Sequence, residues 1–309
     1  MTPAAAQTLF GRNCKGDYAM SLEKYHKMGD IMDRFLRPST FPLAYKYIKD
    51  ESEIPEKALR PLKNYKTRLL MCQCLHLSKT TGRTHALTLE DNYCLEGSVA
   101  NGWVEKPPYM NDGTAIYPRL IPNQEVAKKF ECDKPFIPAG KGYIGVVISP
   151  LAWTKVEPDL ILMSLNPARL NRVIEGICDQ SGEAIVATNS GRGGLCCWGL
   201  APAMNTGKPT YVVPTFGEYR FTGDSENDMW MVLPVSYLET LIEGFEHMHK
   251  AGWRYPIPRF VEHEPRWPDG MYGWETYEEY AKLIAEGKNY EEFKDDWFGT
   301  YTDKDWFKK

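Results

Sequence analysis

Apolar residues along the chain fall in short runs separated by glycines and by amphipathic stretches, a pattern of strands joined through helices. Phe41–Ile48 and Gly142–Ser149 predict strands, while Arg68–Ser78, Asn123–Phe130, Asn166–Gln180 and Val235–Lys250 predict helices. The order also repeats. A helix, a Gly turn, a short apolar strand, a polar loop and a cysteine run from Gly82 through Thr88 to Cys94 and Gly97, and again from Gly182 through Thr188 to Cys196 and Gly199. The expectation is an α/β protein of two pseudo-repeated βαβ-type halves, packed into one body with a mixed sheet and sharing a cleft.

The punctuation sets the boundaries. Residues 1–40 read as a helical lead-in ending at Arg37-Pro38-Ser39, residues 41–135 as the first half, and 136–258 as the second, with Phe136–Gly142 as the hinge. Residues 259–309 form an aromatic C-terminal extension, in which Trp267, Trp274, Trp297 and Trp306 stand among charged residues with little aliphatic content. Such a segment suits a peripheral helix pair between Thr276 and Asp296, or a homo-oligomer contact.

Composition removes several classes. The chain has 309 residues, with 37 basic against 41 acidic side chains and a net charge of −4. It shows no basic stripe, so no nucleic acid is expected as a partner. Tyr143–Leu151 is among the longest apolar runs and is too short to span a bilayer. The N-terminal residues lack the charged and apolar regions of a secretory signal, and a cytoplasmic location with no membrane partner is expected. The eight cysteines are too scattered for a disulfide scaffold.

Those cysteines are the main candidates for chemistry. Cys72 lies in a helix, and Cys94 and Cys196 lie in matching loops after strands, the usual home of sites in α/β architectures. Thiolates select zinc or iron–sulfur clusters over magnesium or calcium. Cys196 and Cys197 are adjacent, and geometry usually lets one of such a pair ligate, so either is a candidate. Cys14, Cys132 and Cys178 read as packing residues. In Asn189–Gly194, glycines bring the backbone close to an anion and Arg192 can clamp a carboxylate or phosphate, or the loop can serve to position Cys196. Arg220 stands beside Asp224, Glu226 and Asp228 near a predicted strand end, which makes Arg220 a substrate-binding candidate and Asp228 a proton-transfer candidate. His76 falls one helical turn after Cys72 and is the histidine flagged as a ligand or proton donor.

The stretches Arg37–Lys46, Arg68–Gln73, Leu87–Cys94, Glu157–Asp159, Asn166–Ala168, Gly191–Gly194 with its following cysteine, Gly217–Phe221 and Arg254–Pro258 resemble the DUF169 family of uncharacterised ArCR proteins. The likeness runs from about Leu36 to Pro258. It implies three characteristic cysteine positions, here Cys72, Cys94 and one of Cys196 or Cys197, and leaves Cys74 outside the pattern. Leu195 before a doubled cysteine departs from that pattern. The resemblance implies no established reaction.

Three separated cysteines predict a [4Fe-4S] cluster with one open iron, acting as a Lewis acid in a hydratase or dehydratase reaction on a small anionic or aromatic molecule. Zinc-binding or structural cysteines in a ligand-binding or redox-sensing protein are the second reading. A fully ligated cluster in an electron-transfer protein, drawing on Cys74 or on both Cys196 and Cys197, is the third.

Overall fold

The computed structural model describes residues 22–257 and 274–288. Its frame is a six-stranded sheet in the order β2-β3-β1-β4-β6-β5, built from β1 (Leu43–Ile48), β2 (His85–Thr88), β3 (Gly145–Pro150), β4 (Leu160–Leu165), β5 (Thr210–Val212) and β6 (Met229–Pro234). The helices are α1 (Leu22–Leu36), α2 (Met71–Thr81), α3 (Leu95–Ala100), α4 (Pro108–Asn111), α5 (Gln124–Asp133), α6 (Pro167–Ser181), α7 (Ala201–Thr206), α8 (Phe216–Thr222), α9 (Leu238–Lys250) and α10 (Trp274–Ala285). A π-helical turn, Leu195–Leu200, runs directly into α7.

Every pairing between named strands is antiparallel, which corrects the mixed sheet and the βαβ-type halves expected from the sequence. The physical reason lies in insertion. β1 and β2, joined through α2, run in the same direction, but β3 lies between them and is antiparallel to both. β4 and β5 are likewise separated by β6. The linear order of helix and strand is as read, but it does not reveal which later strand enters between the two. The segment 142–149, placed beyond the hinge by its Pro and Gly residues, therefore supplies the strand that completes the β1 side of the sheet.

The strand registers mirror each other across the central seam. Leu43 opposes Pro150 and His85 opposes Ile148 on one side, while Leu160 opposes Pro234 and Thr210 opposes Val232 on the other. At the seam, Leu43, Ala44 and Tyr45 oppose Leu162, Ile161 and Leu160. The helices break this relation. α2 packs Met71 and Leu75 on one face of the sheet, whereas α6 packs Leu170, Val173 and Ile177 on the other. The segment after Gly182, expected as a strand, forms no named strand; it lies near edge strand β5, where Val213 N donates to Asn189 Oδ1 at 2.9 Å.

Local chemistry explains the main helices. In α6 the Asn166 side chain accepts from Arg169 N at 2.9 Å, Pro167 occupies the first turn, and Gly182 ends the helix at φ 67°. Its apolar stripe meets α9 at a glycine crossing: a Cβ on Gly244 would lie 1.9 Å from Gly176 O, so only glycine permits this approach. α1, α6 and α9 thus seal one face around Met32, Phe245, Met163 and Leu233. The other face carries α2, the π-helical turn and Tyr45, Tyr47, Trp198 and Trp230. The candidate site lies on this second face.

Of the N-terminal lead-in, α1 is described, and residues 1–21 lie outside the described residues. The C-terminal extension also lies largely outside them, apart from α10 and the residues that follow it to 288. Among the described residues no helix is long and apolar enough to cross a membrane.

Candidate functional site

Cys72, Cys94 and Cys196 line one cavity of about 800 Å³. Three different devices bring them there. Cys72 is the second residue of α2, whose start is fixed when Leu70 N donates to Gln73 Oε1 at 2.9 Å. Cys94 is the N-cap of α3, and its Sγ accepts from Gly97 N at 3.2 Å. Cys196 sits in the π-helical turn, where consecutive side chains point in different directions, as on any helix.

That separation distinguishes the two candidates by place. Cys196 lines the large cavity, and Cys197 lies behind it against Glu96, Val99, Lys134 and Met110. Cys74 is fully buried in the core. Cys132 is exposed, so it does not pack as expected, and Cys14 lies outside the described residues.

A buried hydrogen-bond network holds the floor. Tyr47 OH and Tyr45 OH donate to Asn101 Oδ1 at 2.8 and 3.2 Å, and Asn101 Nδ2 donates to Gly97 O at 2.8 Å. The Cys94 loop is thereby tied to β1. The glycine-loop wall depends on Glu218, a buried carboxylate that accepts from Leu195 N at 2.9 Å and Thr215 N at 2.7 Å. It caps α8 and fastens the glycine loop in one stroke. Gly194 has φ +30°, and a Cβ there would lie 2.0 Å from Glu218 Oε2, so the loop reaches this carboxylate through a glycine.

The thiols sit in an environment that resists bare charge. Burial, then the proximity of Glu218 and Cys94, pushes Cys72 up to about 12. Burial also raises Cys94, despite the Gly97 N–H, and raises Cys196 well above its ordinary value, with Cys197, Cys72 and Cys94 adding to the effect. Each thiol would ionise more readily beside a cation. Among the described residues, no group of three or more His, Cys, Asp and Glu side chains forms a site able to hold a metal ion as placed. The donor set is nevertheless the sulfur-rich kind that suits zinc or iron–sulfur chemistry, from three separate elements facing one space.

The model of the DUF169 family, described as uncharacterised ArCR, matches residues 31–244. The chain belongs to the DUF169 family. No curated protein and no solved structure matches it.

In this DUF169 protein Arg192 and Arg220 also line the cavity, whereas His76 and Asp228 are not among its lining residues. The latter two meet elsewhere, as ends of one network beneath α8. His76 Nδ1 lies 3.2 Å from Asp224 Oδ1, Lys79 Nζ donates to Asp224 Oδ1 at 2.7 Å and to Ser164 Oγ at 3.0 Å, and Ser164 Oγ donates to Asp228 Oδ2 at 3.3 Å. The pair Lys79–Asp224 is buried, each side chain 3% exposed. One turn after Cys72 does place His76 near the site, but its ring turns to Asp224.

Sequence reasoning passed over Glu96, Arg119, Lys134 and Glu218, all of which line the cavity. Lys134 Nζ donates to Glu96 Oε1 at 2.5 Å and to Glu131 Oε1 at 2.7 Å. One signal was present for Glu218: Thr215-Phe-Gly-Glu218 is a capping box, which marks a helix start where a strand end was expected. Glu96, Arg119 and Lys134 carry no comparable local mark.

Proposed function

We propose that this DUF169 protein holds an iron–sulfur cluster through Cys72, Cys94 and Cys196 and uses the surrounding cavity as the active site of a hydratase or dehydratase. The observation that carries the reading is the convergence of these thiols, from three distant parts of the chain, on one cavity. Cys197 and Cys74 are not among the residues that line that space, which favours three ligands over four.

Cys72, Cys94 and Cys196 would hold the cluster, which would supply Lewis acidity toward a hydroxyl. The chain's own residues supply the rest. Arg192 and Arg220 orient an anionic substrate, and Phe216, Phe221 and Phe130 give it apolar walls that limit water. Glu96, held by Lys134, takes or returns the proton on carbon, the role that the sequence suggested for His76 or Asp228. Dehydration then breaks one C–H and one C–O bond and releases water; hydration reverses this.

The test is a set of single Cys→Ser variants purified without oxygen. Cys72→Ser, Cys94→Ser and Cys196→Ser each lose the visible absorbance of the cluster, whereas Cys74→Ser and Cys197→Ser keep it. Unchanged absorbance in all of the first three would sink the reading.

A further inference from the structure

The cavity holds three arginines that form no ion pair among the described residues. Arg119, Arg192 and Arg220 line it, from three separate segments of a chain whose net charge is −4. Among the described residues Arg119 makes no hydrogen bond, ion pair or ring contact, and Arg220 makes only a ring contact, its guanidinium 5.9 Å from the centroid of Phe216. Arg192 spends one nitrogen on Leu120 O at 2.7 Å, which leaves most of its donor fork open.

The acids in the same cavity are engaged elsewhere. Glu96 is bonded to Lys134, and Glu218 is taken up by Leu195 N and by the Thr215 amide and hydroxyl. Like charges gathered without partners repel one another, and the arrangement becomes favourable when an anion enters. A guanidinium meets a carboxylate or phosphate through paired donors, so three open forks match more than one anionic group. Beside them Phe216 is 73% exposed and Phe221 51% exposed, large apolar faces at the same opening. A cavity of about 800 Å³ accommodates a small organic molecule.

We propose that Arg119, Arg192 and Arg220 form a binding site for a small molecule that carries two negative charges, as two carboxylates or one phosphate, on an aromatic or apolar body. This deepens the proposed function by naming the ligand class, and it rests on that reading only in taking the cavity to be a ligand site. It stands on arginines and not on cysteines, so the two fail separately.

Calorimetric titration of the full chain with four probes tests it: phthalate, phenyl phosphate, benzoate and benzamide. At least one of the two dianions binds about tenfold or more tightly than benzoate, benzamide does not bind, and the affinity falls as salt is raised. Whichever dianion binds more tightly identifies the anionic group. Arg119→Gln and Arg220→Gln each weaken that binding about tenfold, with circular dichroism unchanged because both side chains are on the surface. Lys57→Gln, an exposed charge outside the cavity, leaves it unchanged. Cys72→Ser keeps dianion binding within a few-fold, even if it abolishes the cluster.

The proposal is overturned if neither dianion binds, if benzamide binds as well as phthalate, or if the folded Arg119→Gln/Arg220→Gln double variant retains wild-type affinity. Loss of binding in Cys72→Ser with no loss in the arginine variants would also overturn it, because recognition would then belong to the metal centre.

Discussion

Replacing Lys79 by Met removes the cation from a buried ion pair and leaves its partner in place. Asp224 Oδ1 accepts from Lys79 Nζ at 2.7 Å, and the two side chains are each 3% exposed. Asp224 keeps His76 Nδ1 at 3.2 Å and Trp230 Nε1 at 3.2 Å, while Ser164 Oγ loses its donor. A buried pair broken on one side costs about 3–5 kcal/mol, because an uncompensated charge remains in the interior. For a domain of this size that corresponds to a fall in Tm of roughly 10 °C. Replacing both residues, as Lys79→Met/Asp224→Leu, recovers much of the loss, since no buried charge is then left alone. The pH dependence follows in sign. Burial pulls the Asp224 carboxyl upward, but the charge and hydrogen bond of Lys79, helped by His76 and Trp230, outweigh it and hold the group below 3.8. Its stabilisation is therefore present above 3.8 and is lost as pH falls through the folded value. Without Lys79 the burial contribution prevails, the carboxyl rises above its unfolded value, and stability declines as pH increases through the new value. Thermal and urea denaturation from pH 3 to 7 measure both effects. A Lys79→Met protein that melts within about 2 °C of wild type, with the same acid limb, would refute the reasoning.

Other substitutions probe the cavity walls and the sheet edge. Gly194→Ala forces a Cβ against Glu218 at a left-handed backbone position and disrupts the α8 cap, so it costs about 2–4 kcal/mol by denaturant unfolding; a neutral result would mean that the loop does not depend on this carboxylate. Asn101→Leu strands the buried hydroxyl of Tyr47 and releases Gly97 O, with a loss of about 2–4 kcal/mol, and Cys94 reacts faster with a thiol reagent because its loop is no longer tied to β1. His85 is fully buried between the hydroxyls of Tyr65 and Ser78, each at 2.8 Å, and burial pushes it down to about 4 from 6.5. The unfolded chain therefore binds a proton that the folded one refuses between those values, and about 3 kcal/mol of stability is lost as pH falls through that window. His85→Gln flattens this slope, and an unchanged slope would assign it to other groups.

The sequence was most readable where local chemistry decides structure. The helix that carries Cys72, the capped start of α6 and the helix end at Gly182 follow from periodicity and punctuation within a few residues. The order of strands in the sheet depends on pairings between segments far apart, such as Leu43 with Pro150 and Leu43 with Leu162, and no local pattern encodes these. The same division holds at the site. Cys72, Cys94, Cys196, Arg192 and Arg220 could be picked out by residue type, and all five line the cavity. Arg119 and Lys134 reach it from a loop and a helix end with no motif, and His76 is turned aside by Asp224, a partner 148 positions away. Cys196 and Cys197 could not be told apart, because which face of their turn meets the cavity is set by tertiary packing.

The most direct test of the central claim is the iron and acid-labile sulfide content of the 309-residue chain purified without oxygen, measured together with its absorption spectrum. The account predicts stoichiometric iron and sulfide and a broad visible absorbance that disappears in Cys196→Ser and persists in Cys197→Ser. Protein that carries neither iron nor sulfide, before and after anaerobic reconstitution with both, would contradict it.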